Sequence, residues 1–412
     1  MSTPRDRDLA FAPVVAPGPA VVPAVPAERE RPKVRLLALL ALGHLVIDVN
    51  QGALPAILPY LRTALELSYT ATGTIVLMAT ITSSLIQPLF GYLADQTARR
   101  WLLPLSVVLA SLGIALTGLA PSYAAVLGLV VISGLGVAAY HPEGFRAASQ
   151  VAGDRKATGL SIFSTGGNIG IAAGPPLITA LVTGVGLRGS LGLLVPGVLV
   201  AGLLMTVLPR LSVSISTASR AHETATARGR TMVGGILLLI GVVTVRSWTQ
   251  LGFTTFIPFY YLDVLRGDPR LVGTLLAVFL GAGAVGTLVA GPIADRIGAR
   301  KYIVIIFLLA APLAASVLLT RGLLSVILLG ALGFVLISTF TVSVVLAQAY
   351  LPRNIGMASG LIVGLAIGTG GLGVAVLGWV ADHWGVVTAL WAAALMPLLG
   401  FLVALRLPDP PS

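Results

Sequence analysis

Cysteine is absent from the 412 residues, and charged side chains are scarce at 10%. Without cysteine there is no disulfide framework, no thiolate metal site and no cysteine nucleophile. Soluble domains carry about 25% charged residues. A chain with so few, and with 56% hydrophobic residues, has too little polar surface to fold as a water-soluble globule. Its mean hydropathy of +0.97 says that the surplus apolar surface faces lipid. Histidine is scarce too: the four residues His44, His141, His222 and His383 show no metal-ligand spacing. With no nucleophile motif either, the sequence points away from an enzyme and from any cofactor or metal.

What is present is a series of apolar runs of roughly 20 residues, the length of a helix that crosses about 30 Å of hydrocarbon. The 48 glycines and 26 prolines argue against long strands and suit bent, closely packed membrane helices. The expected fold class is therefore all-α integral membrane. Twelve transmembrane helices are predicted near 36–60, 71–94, 101–120, 122–150, 157–185, 188–209, 232–262, 271–293, 302–320, 322–350, 356–381 and 386–407. They divide the chain into a disordered cytoplasmic tail (1–35), an N-terminal six-helix bundle (36–209) and a polar cytoplasmic linker (210–231). A C-terminal six-helix bundle (232–407) and a short cytoplasmic tail (408–412) follow. The tail at 1–35 is rich in Pro, Ala and Val without helical period, and lacks the order of a cleaved signal peptide.

The net charge of +11 is explained by topology. With both termini inside, 20 of the 26 Lys and Arg residues fall on the cytoplasmic side and 5 outside, with Arg246 left within a span. This bias fits the positive-inside rule, places the protein in a cell inner (plasma) membrane as a multi-pass protein, and excludes nucleic acid as the partner. The expected partners are the lipid bilayer, a small-molecule substrate and protons, with the monomer as the working unit.

The two halves repeat in the same orientation. "GYLADQTARR" from Gly91 recurs 200 residues on as "GPIADRIGARK" from Gly291, and "ATGLSIFSTGGNIG" from Ala157 is echoed 201 residues on by "ASGLIVGLAIGTGG" from Ala358. Parallel repeats of six spans are the organisation of two-bundle alternating-access transporters. In the paired loops, Gly91, Asp95, Arg99 and Arg100, and then Asp295, Arg296, Arg300 and Lys301, either form cytoplasmic gates or only anchor the chain inside. Gln96 and Ala98 in the first copy, against Arg296 and Gly298 in the second, leave open whether the two are equally strong.

Ionisable groups within spans are costly, about 2.5–3.5 kcal/mol on insertion scales, and normally face a cavity or a partner. His44, Asp48 and Gln51 are spaced i, i+4, i+7 on one helix face. Asp48 lies about 18 Å along its helix from Leu36, near mid-membrane. Shifting the halves by about 198–200 residues puts Arg246 opposite Asp48, so an acid and an arginine are expected to face one central cavity. Arg246 suits a phosphonate, phosphate or carboxylate through its two-pronged donor geometry, and Asp48 suits proton coupling. The other reading is a permanent Asp48–Arg246 salt bridge that fixes packing. In "YHPEGFRAAS", His141 and Glu143 form either an inner proton path or a helix-end group, with Glu143 and Arg146 spaced i, i+3. Tyr140, Asn168, Trp248, Gln250 and Gln51 are further candidates for the cavity wall. Gly166, Gly167, Gly170, Gly174 and Pro175 make a smooth, bent face for sliding or static helix packing. Gly281-x-Gly283-x-x-Gly286 is set aside as a nucleotide site, since no strand precedes it.

The Gly-x-x-x-Asp loop followed by paired basic residues resembles the signature loop of the major facilitator superfamily. "GHLVIDVNQGALPAILPYL", "SSLIQPLFGYLAD", "YHPEGFRAAS" and "SIFSTGGNIGIAAGPPL" are similar to its fosmidomycin-resistance branch of drug efflux proteins. "TGGNIGIAAGPP" resembles the motif associated with antiporters. The resemblance spans 36–407. It implies a proton-coupled exporter of a small, anionic or amphiphilic compound such as a fosmidomycin-like drug. A proton symporter importing a metabolite is the alternative, and a channel or an intramembrane enzyme is further off.

Overall fold

The computed structural model describes residues 33–96, 100–153, 155–212, 232–352, 354–366 and 368–409, and among them the regular structure is entirely helical. The first half holds α1 (Val34–Ala64), α2 (Tyr69–Leu93), α3 (Leu102–Thr117), α4 (Tyr123–Val151), α5 (Lys156–Val185) and α6 (Leu187–Val207). The second holds α7 (Val233–Val264), α8 (Pro269–Ile297), α9 (Ala299–Leu319), α10 (Gly322–Tyr350), α11 (Leu361–Trp384) and α12 (Val386–Ala404). Eleven are long and apolar enough to cross a membrane; α3, at 16 residues, is the short one. The twelve expected spans are all found, with ends shifted by a few residues. The expected tail before residue 33, most of the linker (213–231), Arg99 and the final residues 410–412 lie outside the described residues.

Local chemistry sets the helix ends. Ser68 accepts from the Ala71 amide, Ser122 from the Ala125 amide and Asp268 from the Arg270 amide, each satisfying a first-turn donor. Three spans contain a single π-helical turn: Ile81–Leu85 in α2, Tyr260–Val264 in α7 and Leu361–Ala366 in α11. Such turns mark places where the regular ladder is interrupted, and nothing in the hydrophobic pattern announces them. By contrast, α5 runs as one helix through Pro175 and Pro176.

The longest intrahalf seam is α1 against α5. A Cβ at Gly166, Gly170 or Gly174 would fall on the carbonyl oxygen of Ala41, Leu45 or Val49, respectively. Small residues thus let the two backbones touch, the usual solution where lipid provides no hydrophobic drive between helices. This seam fixes the face of α1 that carries His44 and Asp48 against α5.

The halves meet along α2 with α11 and along α5 with α8. At the face carrying the α1–α2 and α7–α8 connections they are tied by side chains. The Asp382 carboxylate at the end of α11 accepts from the amides of Tyr69 (2.7 Å) and Thr70 (2.8 Å) and from the Thr70 hydroxyl (2.5 Å). Tyr69 donates its hydroxyl to Asp263 (2.7 Å), whose other neighbour is Arg62 (3.5 Å). The Arg62 guanidinium lies 3.9 Å from the Tyr69 ring centre. An acid from the second half therefore caps a helix of the first.

Candidate functional site

The α1 face expected from sequence forms as spaced, and α4 completes it. Gln51 donates its amide nitrogen to Asp48 Oδ1 at 2.8 Å. His44 Nε2 lies 3.4 Å from Asp48 Oδ2, and His141 Nε2 lies 3.4 Å from Asp48 Oδ1. The two imidazole rings stand edge to face with centres 5.0 Å apart, which corrects the expectation that no two histidines pair. His44 Nδ1 contacts the Phe163 carbonyl (2.9 Å), and His141 Nδ1 contacts the Val137 carbonyl (3.0 Å). A carbonyl only accepts, so both Nδ1 atoms carry hydrogen. In the neutral rings each Nε2 then turns a lone pair toward the same carboxylate. That arrangement is repulsive until a cation is shared among the three groups, a proton in the smallest case. The geometry lets a proton be held between the carboxylate and an imidazole nitrogen.

Aromatic rings pack around the cluster. His44 stacks on Phe163 (centres 4.3 Å apart, 23° between planes), and Phe145 meets both rings edge-on. The low local dielectric magnifies any change of charge. Tyr140 is fully buried and donates to the Leu40 carbonyl (2.7 Å), so it braces α4 against α1 instead of lining a substrate cavity. Gly167, expected only to pack helices, faces the site itself. A Cβ there would stand 2.5 Å from His44 Nε2 and 2.6 Å from Asp48 Oδ2. Phe163 and Phe145 escaped the sequence reading. Phe145 follows His141 by one helical turn, whereas nothing local ties Phe163 to the cluster.

Arg246 does not meet Asp48. Its guanidinium is buried, donates to Gln250 Oε1 and to Ser247 Oγ (3.4 Å), and leaves Nε without a partner. Among the described residues no carboxylate pairs with it, so the permanent Asp48–Arg246 bridge is not formed. The expectation that both charges face one cavity is corrected as well. The cavity between the halves is lined by Asn50, Gln51, Thr80, Ser83 and Ser133 from the first half and by Gln250 and Thr254 from the second, amid apolar side chains. Asp48 and Arg246 sit one layer behind, each reached through its glutamine. The repeat placed these charges at corresponding heights, but the helix rotation that turns the amides inward is a tertiary property. Trp248 packs on α11 at Gly373, with its indole nitrogen enclosed and unpartnered. Asn168 is half-buried on α5 outside the cavity wall.

His141 and Glu143 separate. Two residues apart on a helix they point about 200° away from each other, and only His141 reaches Asp48. Glu143 is buried 3.9 Å from Arg146 and within electrostatic reach of Arg100. Of the loop residues, Gly91 stands opposite Pro142 with room for a Cβ at 3.9 Å, so its lack of a side chain is not required in this conformation. Asp95 lies in the last turn of the helix Gln87–Gln96. Asp295, Arg296 and Lys301 are exposed. Arg300 pairs with Asp409 (3.0 Å) and the Leu405 carbonyl (3.1 Å), so it tethers the C-terminal segment and not Asp295.

Two six-helix halves around a central cavity, with ionisable groups buried at mid-span, define a multi-pass membrane transporter. The sequence profile of the Major Facilitator Superfamily matches residues 40–366 and 252–412, and the chain belongs to that superfamily. It is 33% identical over 405 residues to the fosmidomycin resistance protein of Escherichia coli (strain K12), covering 95% of this chain and 97% of that one. It is 34% identical over 377 residues to the uncharacterized MFS-type transporter YfnC of Bacillus subtilis (strain 168), covering 90% and 92%. Among solved structures, a bacterial homolog of the human lysosomal transporter Spinster, inward-facing and unoccupied, matches with a TM-score of 0.75 at 15% identity, covering 92% and 99%. The nucleoside transporter NupG matches at 0.71 with 14% identity, covering 90% and 98%. At these identities the structures speak to the fold alone.

Proposed function

We propose that this protein exports a small anionic or amphiphilic compound, of the fosmidomycin type, in exchange for protons by alternating access. The observation that carries the reading is the His44–Asp48–His141 cluster, a buried group that needs a proton and touches the cavity wall through Gln51. Arg246 supports the anionic cargo: a buried guanidinium without a carboxylate leaves positive potential behind Gln250. The likeness to the fosmidomycin resistance protein of Escherichia coli supports the compound class. The excess of Lys and Arg on one side supports an inner-membrane protein with both termini in the cytoplasm. The face tied by Asp382 and Asp263 is then the outer one, and it is held closed. Glu143 and Arg146 sit on the cytoplasmic side of the cluster and serve as its inner station, and the basic loops close that side when the cycle turns over. The domain limits 36–209 and 232–407 mark the two rocking units, which work as a monomer.

The test is proton movement in proteoliposomes with fosmidomycin and an imposed pH gradient. Proton flow opposite to the drug supports export. Flow in the same direction makes the protein an importer, and proton flow without drug makes it a leak. Asp48→Asn is expected to abolish proton-driven accumulation while retaining drug binding; coupled transport at the wild-type rate would remove Asp48 from the mechanism.

A further inference from the structure

Two glutamines separate the buried charges from the cavity, and their orientations are opposite. An ionised Asp48 only accepts, so Gln51 turns its nitrogen to it at 2.8 Å and leaves its carbonyl oxygen over. Arg246 only donates, so Gln250 turns its oxygen to it and leaves its NH2 over. Both side chains line the same cavity. Among the described residues neither Gln51 Oε1 nor Gln250 Nε2 has a protein partner, and neither is enclosed in the protein. The cavity thus presents one acceptor from α1 and one donor from α7. The pair follows the internal repeat. Gln51 comes three residues after the acid and Gln250 four after the base, about one turn on in each half.

We propose that this oriented amide pair sets the polarity of the cargo and carries the state of Asp48 to it, with Gln51 as the coupling element. This rests on the proton-coupled reading above. With Asp48 ionised, Gln51 offers its carbonyl to an O–H or N–H of the cargo, while Gln250 offers its NH2 to an anionic or carbonyl oxygen. The first proton lies between an imidazole Nε2 and a carboxylate that still accepts from Gln51. When the cluster takes up a further proton that neutralises Asp48 itself, the new O–H donates to Gln51 Oε1. The amide turns over, and an NH2 replaces the carbonyl in the cavity. Cargo that presents a donor there loses its partner, so proton and cargo exclude each other, as exchange requires. Cargo that presents only acceptors binds better to the protonated form and travels with the proton. The direction of coupling is therefore decided by the group seated on Gln51. An exported compound carries a donor beside an acceptor, as hydroxamic acids and primary or secondary amides do.

The test counts protons released per molecule bound, by calorimetry of the purified protein in buffers of different ionisation heat. The probes are fosmidomycin, which is an N-hydroxy amide, and its N-methoxy derivative, which lacks that donor. Wild type is expected to release up to about one proton with the hydroxy probe. It should bind the methoxy probe about tenfold more weakly, the scale of one lost hydrogen bond, and without release. Gln51→Met is expected to bind both probes alike and release no proton. Gln250→Met should weaken both about tenfold and keep the release. Gln51→Asn, whose shorter amide falls short of Asp48, is expected to behave as Gln51→Met does, guarding against a variant that misfolds. Wild-type release persisting in folded Gln51→Met or Gln51→Asn overturns the amide pair while leaving proton coupling intact. Wild type that releases no proton with either probe overturns both.

Discussion

A buried arginine with no acid beside it is destabilising unless something else repays the burial. Arg246 has Gln250, Ser247 and an unsatisfied Nε. This is the pattern of a residue kept for function at the expense of stability. Arg246→Met is expected to raise the melting temperature of the purified protein by a few degrees and to weaken fosmidomycin binding at least tenfold. A variant that loses stability and keeps affinity would show that the guanidinium is structural. The spacing of His44, Asp48 and Gln51 made this part of the site legible, because three residues at i, i+4, i+7 on one helix necessarily share a face. The partnership with His141 was not legible, since the two lie about ninety residues apart and meet only when α4 packs on α1.

Among the elements, α5 shows most directly how packing becomes chemistry. Its glycines were recognised from sequence as a smooth face, and the seam with α1 has that character. The sequence did not distinguish Gly167 from its neighbours, yet only Gly167 faces the His44–Asp48 pair. Gly167→Ala is expected to push the two side chains apart. Proton-coupled transport should fall at least tenfold while the purified protein stays monodisperse. Gly202→Ala, at a helix position where a Cβ meets nothing within 4 Å, is the matched control and should leave transport unchanged or stabilise the helix by about 0.5–1 kcal/mol. Equal effects at the two positions would mean that Gly167 matters only for general packing. The π-helical turns in α2, α7 and α11 lie outside this kind of reading, because apolar periodicity persists across an interrupted ladder.

At the scale of the molecule, the tie between halves decides which face is closed. Asp382 reaches across to the first turn of α2 with three hydrogen bonds. Losing a helix cap costs about 0.5–2 kcal/mol. Asp382→Ala is therefore expected to shift the population toward opening of that face by roughly two- to thirtyfold. Because the chain has no cysteine, spin labels on single cysteines introduced at the ends of α2 and α11 report the distance directly. An unchanged distance distribution would show that apolar contacts alone hold the face shut. Hydropathy, helical length and local spacing act along the chain, so the membrane class, the twelve helices, the repeat and the superfamily are legible in the residues alone. That His141 joins Asp48, that Arg246 stands apart and that two glutamines face the cavity in their place emerges only when the helices pack. Those outcomes depend on how each helix rotates against its neighbours, and that rotation is set by contacts between residues far apart in sequence.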